Sequence, residues 1–237
     1  MPSPSVVLRT HRVLPRRRAI RPEQNHVTCG LRVLEIEGLV LRRGRRLLAR
    51  RIDLAVPPGT FAHIVGPNGS GKSTLLRILA GFGRPEEGVI RWGGRTGEEW
   101  SAAYRGQVAF LGHLEGIKSV LTPEENLVYR RLLVGPPGWR VPEPPLLFDI
   151  ASLPRLPCRR LSAGQRRRVS LACLEHSAAP LWLLDEPLTS LDRDGIAAVG
   201  ALVARHLRSG GTAVVASHQP LPPSLVPEVV LKLGEKR

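Results

Sequence analysis

From Leu31 to Glu37 the chain runs at period two, and the stretch is followed by Gly38-Leu-Val-Leu and then by Ile52-Asp-Leu-Ala-Val. This period predicts strands, with regular structure beginning at Leu31. Pro57-Pro58-Gly59 supplies a turn. After it, Thr60-Phe-Ala-His-Ile-Val is a short apolar run of the kind found in strands buried inside a sheet. Leu75-Leu-Arg-Ile-Leu-Ala switches to helical spacing. Two further apolar runs, Leu181-Trp-Leu-Leu and Ala213-Val-Val-Ala, predict additional buried strands.

With 237 residues and 42% hydrophobic content, the chain can bury one core, or one core and a small lobe. No run reaches the roughly eighteen apolar residues of a membrane-crossing helix, so a soluble or peripheral protein is expected. Cys29, Cys158 and Cys173 show neither a paired framework nor metal-ligand spacing. They are expected to be small apolar fillers in a reducing compartment. The net charge of +15 is carried by arginine, since Lys72, Lys118, Lys232 and Lys236 are the lysines. It attracts phosphate polymers and anionic lipid without choosing between them, and its even spread argues against a binding stripe. Within residues 1–30, Arg9, Arg12, Arg16, Arg17, Arg18 and Arg21 face Glu23 alone. That stretch is expected to be a disordered basic extension: a tail, an organellar transit peptide, or the product of a start placed too far upstream.

Between the buried strand and the helix lie Gly66, Pro67, Asn68, Gly69, Ser70, Gly71, Lys72, Ser73 and Thr74. They satisfy G-x-x-x-x-G-K-[ST] in the strand-to-helix context that motif requires. Its glycines let successive backbone N–H groups curl around phosphate, and the helix starting there adds the positive end of its dipole. Lys72 is expected to reach the outer phosphates of ATP and Ser73 to hold Mg²⁺. Leu181-Trp-Leu-Leu-Asp-Glu186 ends an apolar strand in two acids, a costly placement unless cation or water uses them. Asp185 is assigned to Mg²⁺ and Glu186 to the attacking water as general base.

Leu161-Ser-Ala-Gly-Gln165, followed by Arg166-Arg-Arg-Val-Ser-Leu-Ala, resembles the signature sequence of ABC-type ATPases. Thr189-Ser-Leu-Asp192 resembles their D-loop and His218 their switch histidine, in matching order from about Leu31 to the end. The resemblance implies an α/β fold: a P-loop NTPase domain over 31–237, with a mostly parallel core sheet, an antiparallel β subdomain and an α-helical subdomain over about 116–164. It further implies an intermolecular site. Ser162, Gly164 and Gln165 at a helix tip would meet the γ-phosphate of ATP held by a second copy, Asp192 would lie in the seam, and ATP would act as glue.

Leu111-Gly-His-Leu-Glu-Gly-Ile-Lys118, the Leu-Ser-Ala-Gly-Gln-x-Arg-Arg-Val form of the signature and Ser217-His-Gln-Pro-Leu221 are similar to the haem-exporting ATPases of cytochrome c maturation. His113 stands where most ABC cassettes carry the Q-loop glutamine. It reads either as a group near the metal and the partner-facing seam or as a surface histidine. By this resemblance the chain would power haem export or release of a haem-loaded chaperone. It would act beside a separate transmembrane permease, held peripherally on the cytoplasmic side of the inner membrane. The alternatives are another transporter's ATPase or a soluble nucleic-acid-associated ABC ATPase. No specific nucleic acid is expected, because no paired cassette, coiled coil or zinc module is visible.

Two departures stand out. Arg42-Arg-Gly44 replaces the usual base-stacking aromatic, so Arg43 either stacks on adenine or is a solvated arginine. The run from Gly135 to Leu146 is too rich in proline for a helix. The lobe is therefore expected to be shortened: a helix from Pro123 to Val134, an irregular link, a brief turn over about 146–151, and a signature helix starting near Gln165.

Overall fold

The structure is a computed structural model that describes residues 7–10, 32–96, 102–112, 116–134 and 147–234. Its first half runs Val7–Thr10 (β1), Leu34–Arg43 (β2), Arg46–Val56 (β3), Phe61–Val65 (β4), Lys72–Leu79 (α1), Val89–Trp92 (β5), Arg95–Thr96 (β6) and Ala102–Arg105 (α2). Val108–Leu111 (β7), Pro123–Val134 (α3), Ala163–Glu175 (α4), Leu181–Asp185 (β8), Arg193–Arg208 (α5), Thr212–Ala216 (β9) and Val229–Lys232 (β10) complete it.

Two sheets result. The larger has the order β1-β10-β4-β9-β8-β7, and every pair in it is parallel except β1 with β10. The central strands β8 and β9 are buried at every position, so both faces must be covered, and their unbroken apolar composition is the consequence. The smaller sheet, β3-β2-β5-β6, is antiparallel throughout. Helix α1 lies between the sheets, its Leu75, Leu76 and Leu79 sharing one core with Leu41 and Leu48 of the β2–β3 hairpin and Ile64 of β4. A second core on the far side of the large sheet gathers Phe61, Trp182, Leu184 and Val215 with α4 and α5.

β2 and β3 are longer than the alternating runs indicate, because β2 continues through Gly38, whose φ of 60° accommodates an irregularity in the register. The Gly38 N–H donates to Asp53 Oδ1 at 2.7 Å, closing that gap. The expectation of a leader without structure does not hold for Val7–Thr10, which pairs with β10 from Val7↔Lys232 to Thr10↔Val229. The backbone of this segment pairs with the edge of β10 that β4 leaves open. The rest of residues 1–30 lies outside the described residues.

Helix α3 spans Pro123–Val134, with Thr122 and Glu125 bonding each other's backbone N–H as a capping box at its start. Asn126, buried, fastens this helix to what precedes and follows it. It accepts from the Lys118 N–H at 2.7 Å, donates to the Lys118 and Thr122 carbonyls at 3.1 and 3.0 Å, and lies 3.3 Å from Cys158 Sγ. The proline-rich stretch 135–146 lies outside the described residues. From 147 onward, Phe148, Ile150 and Leu153 pack into the second core without forming a helix. Helix α4 starts two residues earlier than expected: Ser162 caps it, its Oγ accepting from the Gln165 N–H while the Gln165 side chain accepts from the Ser162 N–H. Among the described residues, no helix is long and apolar enough to cross a membrane.

Candidate active site

Register places the site. Ile64 pairs with Ala216 and Ala216 with Asp185, so β4, β9 and β8 end side by side. The segments leaving those ends are the glycine loop 66–71, Ser217-His218 and Glu186. Ligands of open parallel sheets bind beyond such carboxyl ends.

The loop's shape depends on two of its glycines. Gly66 has φ of 152°, and a Cβ there would lie 2.3 Å from the Leu233 carbonyl oxygen. Gly71, at φ of 106°, would drive a Cβ to 2.6 Å from Leu41 Cδ2. These contacts hold the loop between β10 and the β2–β3 hairpin, with the start of α1 behind it. Lys72 is buried, and its Nζ donates to the Gly66 carbonyl at 2.7 Å and the Pro67 carbonyl at 3.4 Å.

Among the described residues, Glu186 is one of three non-glycine residues with positive φ, here 48°, a sterically costly conformation that recurs at functional sites. Its N–H donates to the Ala216 carbonyl at 2.8 Å, which ties it to the end of β9. One carboxylate oxygen lies 3.9 Å from Lys72 Nζ, and the other 2.8 Å from His218 Nδ1 and 3.3 Å from the His218 N–H. The loop carrying His218 is fixed by Ser217, whose N–H donates to the Ile64 carbonyl at 3.2 Å and whose Oγ accepts from the Gln219 N–H at 3.0 Å. On β4 beneath this group, burial lowers the His63 pKa against the opposing pull of Ser217 and of Glu186. His63 is therefore a neutral neighbour of the acid, and the alternation of the strand alone does not announce it.

These residues line a cavity of about 390 Å³: Asn68, Gly69, Gly71, Lys72, Ser73 and Thr74 from the loop and α1, with Glu186, Thr189, His218, Arg43 and Leu48 around them. A Cβ at Gly69 would meet nothing within 4 Å, so the loop presents open backbone here. Such a lining can hold a polyphosphate: backbone N–H groups, an ammonium and a helix start gather beside a carboxylate and an imidazole. Ser73 and buried Asp185 offer a hydroxyl and a carboxylate, hard oxygen donors that suit Mg²⁺ with phosphate and water completing its shell.

Other candidates lie elsewhere. Among the described residues lining the cavity, none comes from α4, so Ser162, Gly164 and Gln165 stand outside it. They flank the loop after Glu186 instead: a Cβ at Gly164 would lie 2.7 Å from the Ser190 carbonyl oxygen. Asp192 caps α5 by accepting from the Gly195 N–H at 2.8 Å and pairs with Arg168 at 2.6 Å. The Gly195 bond, with Arg168 beside it, holds its carboxyl below the usual range. His113 lies outside the described residues. Thr189 and Leu48 also line the cavity; in sequence Thr189 stands out only as the start of the D-loop-like string, and Leu48 sits in a motif-free strand that carries no chemical signal.

The sequence profile described as ABC transporter matches residues 49–189. The chain is 43% identical to the cytochrome c biogenesis ATP-binding export protein CcmA of Rhodospirillum rubrum over 77% of its length and 78% of that protein's. The chain belongs to the ABC transporter family, in its cytochrome c biogenesis branch. The same-named protein of Yersinia pestis is 40% identical over 80% of this chain and 87% of its own. A solved ATP-binding subunit of an ABC transporter superposes with a TM-score of 0.69 at 26% identity, covering 78% of this chain and 79% of that one. This ATP-binding subunit is thus an ATP-hydrolysing component of a membrane transporter, and the cavity at the ends of β4, β9 and β8 is the candidate for its nucleotide.

Proposed function

We propose that the chain supplies ATP-driven work for c-type cytochrome assembly, by haem export or release of a haem-loaded chaperone, docked peripherally on a separate transmembrane permease at the cytoplasmic face of the inner membrane. The relatives' role in cytochrome c biogenesis supports the process. The observation that carries the chemistry is the Glu186 carboxylate, placed between the Lys72 ammonium and the His218 imidazole at the mouth of the glycine loop.

In this reading the backbone of Gly66, Pro67, Asn68, Gly69, Ser70 and Gly71 cradles the β- and γ-phosphates, Thr74 lines the same wall, and Lys72 neutralises their charge. Bound Mg²⁺ would be held by Ser73 and Asp185 and would withdraw charge from the phosphate oxygens. Glu186 orients the attacking water and takes its proton, and His218 fixes the carboxylate through Oε2. Ser162 and Gly164 have no phosphate to meet in their own chain. They serve a second copy of the chain, the Ser162 hydroxyl donating to the partner's nucleotide while its oxygen continues to cap α4. Gln165 and Asp192 hold that helix tip and the adjoining loop in shape.

The test is genetic and enzymatic together. In a bacterium lacking its own cytochrome c biogenesis ATP-binding export protein, this chain restores covalent haem in c-type cytochromes, and Glu186→Gln does not, although it still retains ATP. Restoration by Glu186→Gln would remove Glu186 from the mechanism. Wild-type protein that hydrolyses ATP yet restores no cytochrome would leave a transporter ATPase of another pathway.

A further inference from the structure

One buried guanidinium gathers four backbone carbonyls around the active site. Arg167, in the second turn of α4 and 5% exposed, donates from Nη1 to the Gly112 carbonyl and from Nε to the Pro187 carbonyl, each at 3.3 Å. Its Nη2 donates to the Asp185 carbonyl at 3.1 Å and also to that of Glu186. Three of these acceptors are successive residues leaving β8, and the fourth follows β7. A planar fork of fixed N–H directions can serve such a set, whereas a lysine ammonium cannot.

Glu186 is therefore held at both ends, its N–H on Ala216 and its carbonyl on Arg167. A residue at φ of 48° needs such over-determination to persist. The same helix touches the loop twice more, where Gly164 abuts Ser190 and where Arg168 pairs with Asp192. The end of α4 that bears Ser162 and the peptide that bears Glu186 thus form one hydrogen-bonded body.

We propose that Arg167 is the positioning residue that aims Glu186 and couples it to the Ser162 end of α4. If that end grips the partner copy's nucleotide, occupancy of one site moves the carboxylate of the other, and hydrolysis becomes cooperative in ATP. The inference rests on the reading of Glu186 and Ser162 given above.

The experiment compares the full-length wild type with Arg167→Lys, Arg167→Gln and Glu186→Gln, measuring ATP turnover against ATP concentration and binding of a fluorescent ATP analogue. Both Arg167 variants are expected to lose turnover by about 10- to 100-fold. Analogue affinity should stay within about threefold, and the Hill coefficient should fall toward one. If Arg167→Gln does not fold, Arg167→Lys decides alone. Wild-type turnover with wild-type cooperativity in a folded Arg167 variant overturns the proposal. So does a proportional loss of turnover, analogue affinity and thermal midpoint, which would mark a purely structural residue. Full activity in Glu186→Gln strikes the underlying reading instead, whereas an inactive Glu186→Gln beside active Arg167 variants strikes this inference alone.

Discussion

Glu186 Oε2 lies 2.8 Å from His218 Nδ1 while Oε1 lies 3.9 Å from Lys72 Nζ, so one carboxylate spans two strand ends and the glycine loop. Removing the imidazole frees the carboxylate to turn toward the ammonium and away from a water. His218→Ala is expected to lower turnover on the order of 100-fold and leave nucleotide retention unchanged. Phosphate release measured beside filter binding separates the two. Equal loss in both assays would assign His218 to binding.

Gly164 is packed too closely against Ser190 to accept a side chain, since the atom it would strike is backbone. Gly164→Ala therefore pushes α4 and the 189–192 loop apart. The expected cost is about 1–3 kcal/mol of stability, with turnover falling further than nucleotide binding by the isolated chain. Urea unfolding paired with the binding assay checks it, and unchanged midpoint and rate would mean the loop simply yields.

Arg43 ends β2, is exposed, and lines the candidate nucleotide cavity beside Leu48 and Gly69. If its guanidinium stacks on adenine, Arg43→Ala weakens ATP binding by about 2- to 5-fold and Arg43→Tyr retains it. Flat affinity across both substitutions would make Arg43 a solvated arginine.

His206 on α5 lies flat on Trp182, ring centroids 3.9 Å apart, with Nε2 3.2 Å from the Thr212 carbonyl oxygen. Burial pushes its pKa down to about 4 against the raising effect of nearby carbonyls. Its unfolded value is near 6.5, so between these values the unfolded chain binds the extra proton. Stability from this group is complete above pH 6.5 and is lost as pH falls toward 4, by on the order of 3 kcal/mol. Denaturant titrations at pH 7.5 and 5 should show the loss, and His206→Phe, which keeps the stack without the proton, should shrink the difference, leaving the part contributed by His63, whose pKa burial also lowers. Parallel behaviour of the two proteins would exclude His206 as the source.

Features confined to neighbouring residues were legible in the sequence. The glycine loop, the Asp185-Glu186 pair and the Pro123–Val134 helix each depend on a short string whose backbone demands are fixed by residue type. Features made by distant segments were not. Arg166, Arg167 and Arg168 look alike as a string, yet only Arg167 shares a helical face with buried Leu171 and Leu174. That four- and seven-residue spacing is the signal that could have singled it out. Its acceptors, 18 to 55 residues away, carry no side-chain mark at all. Val7–Thr10 was hidden for a related reason: a four-residue strand is defined by the edge it meets, and the surrounding arginines dominate its composition.

Leu41 and Leu48 press on Gly71 from the antiparallel hairpin, and no phosphate contact is asked of either. The glycine loop therefore inherits its curvature from a different sheet. A random mutagenesis screen scored on nucleotide retention should return lesions in this hairpin alongside those in the loop, and second-site suppressors of loop mutants should map there too.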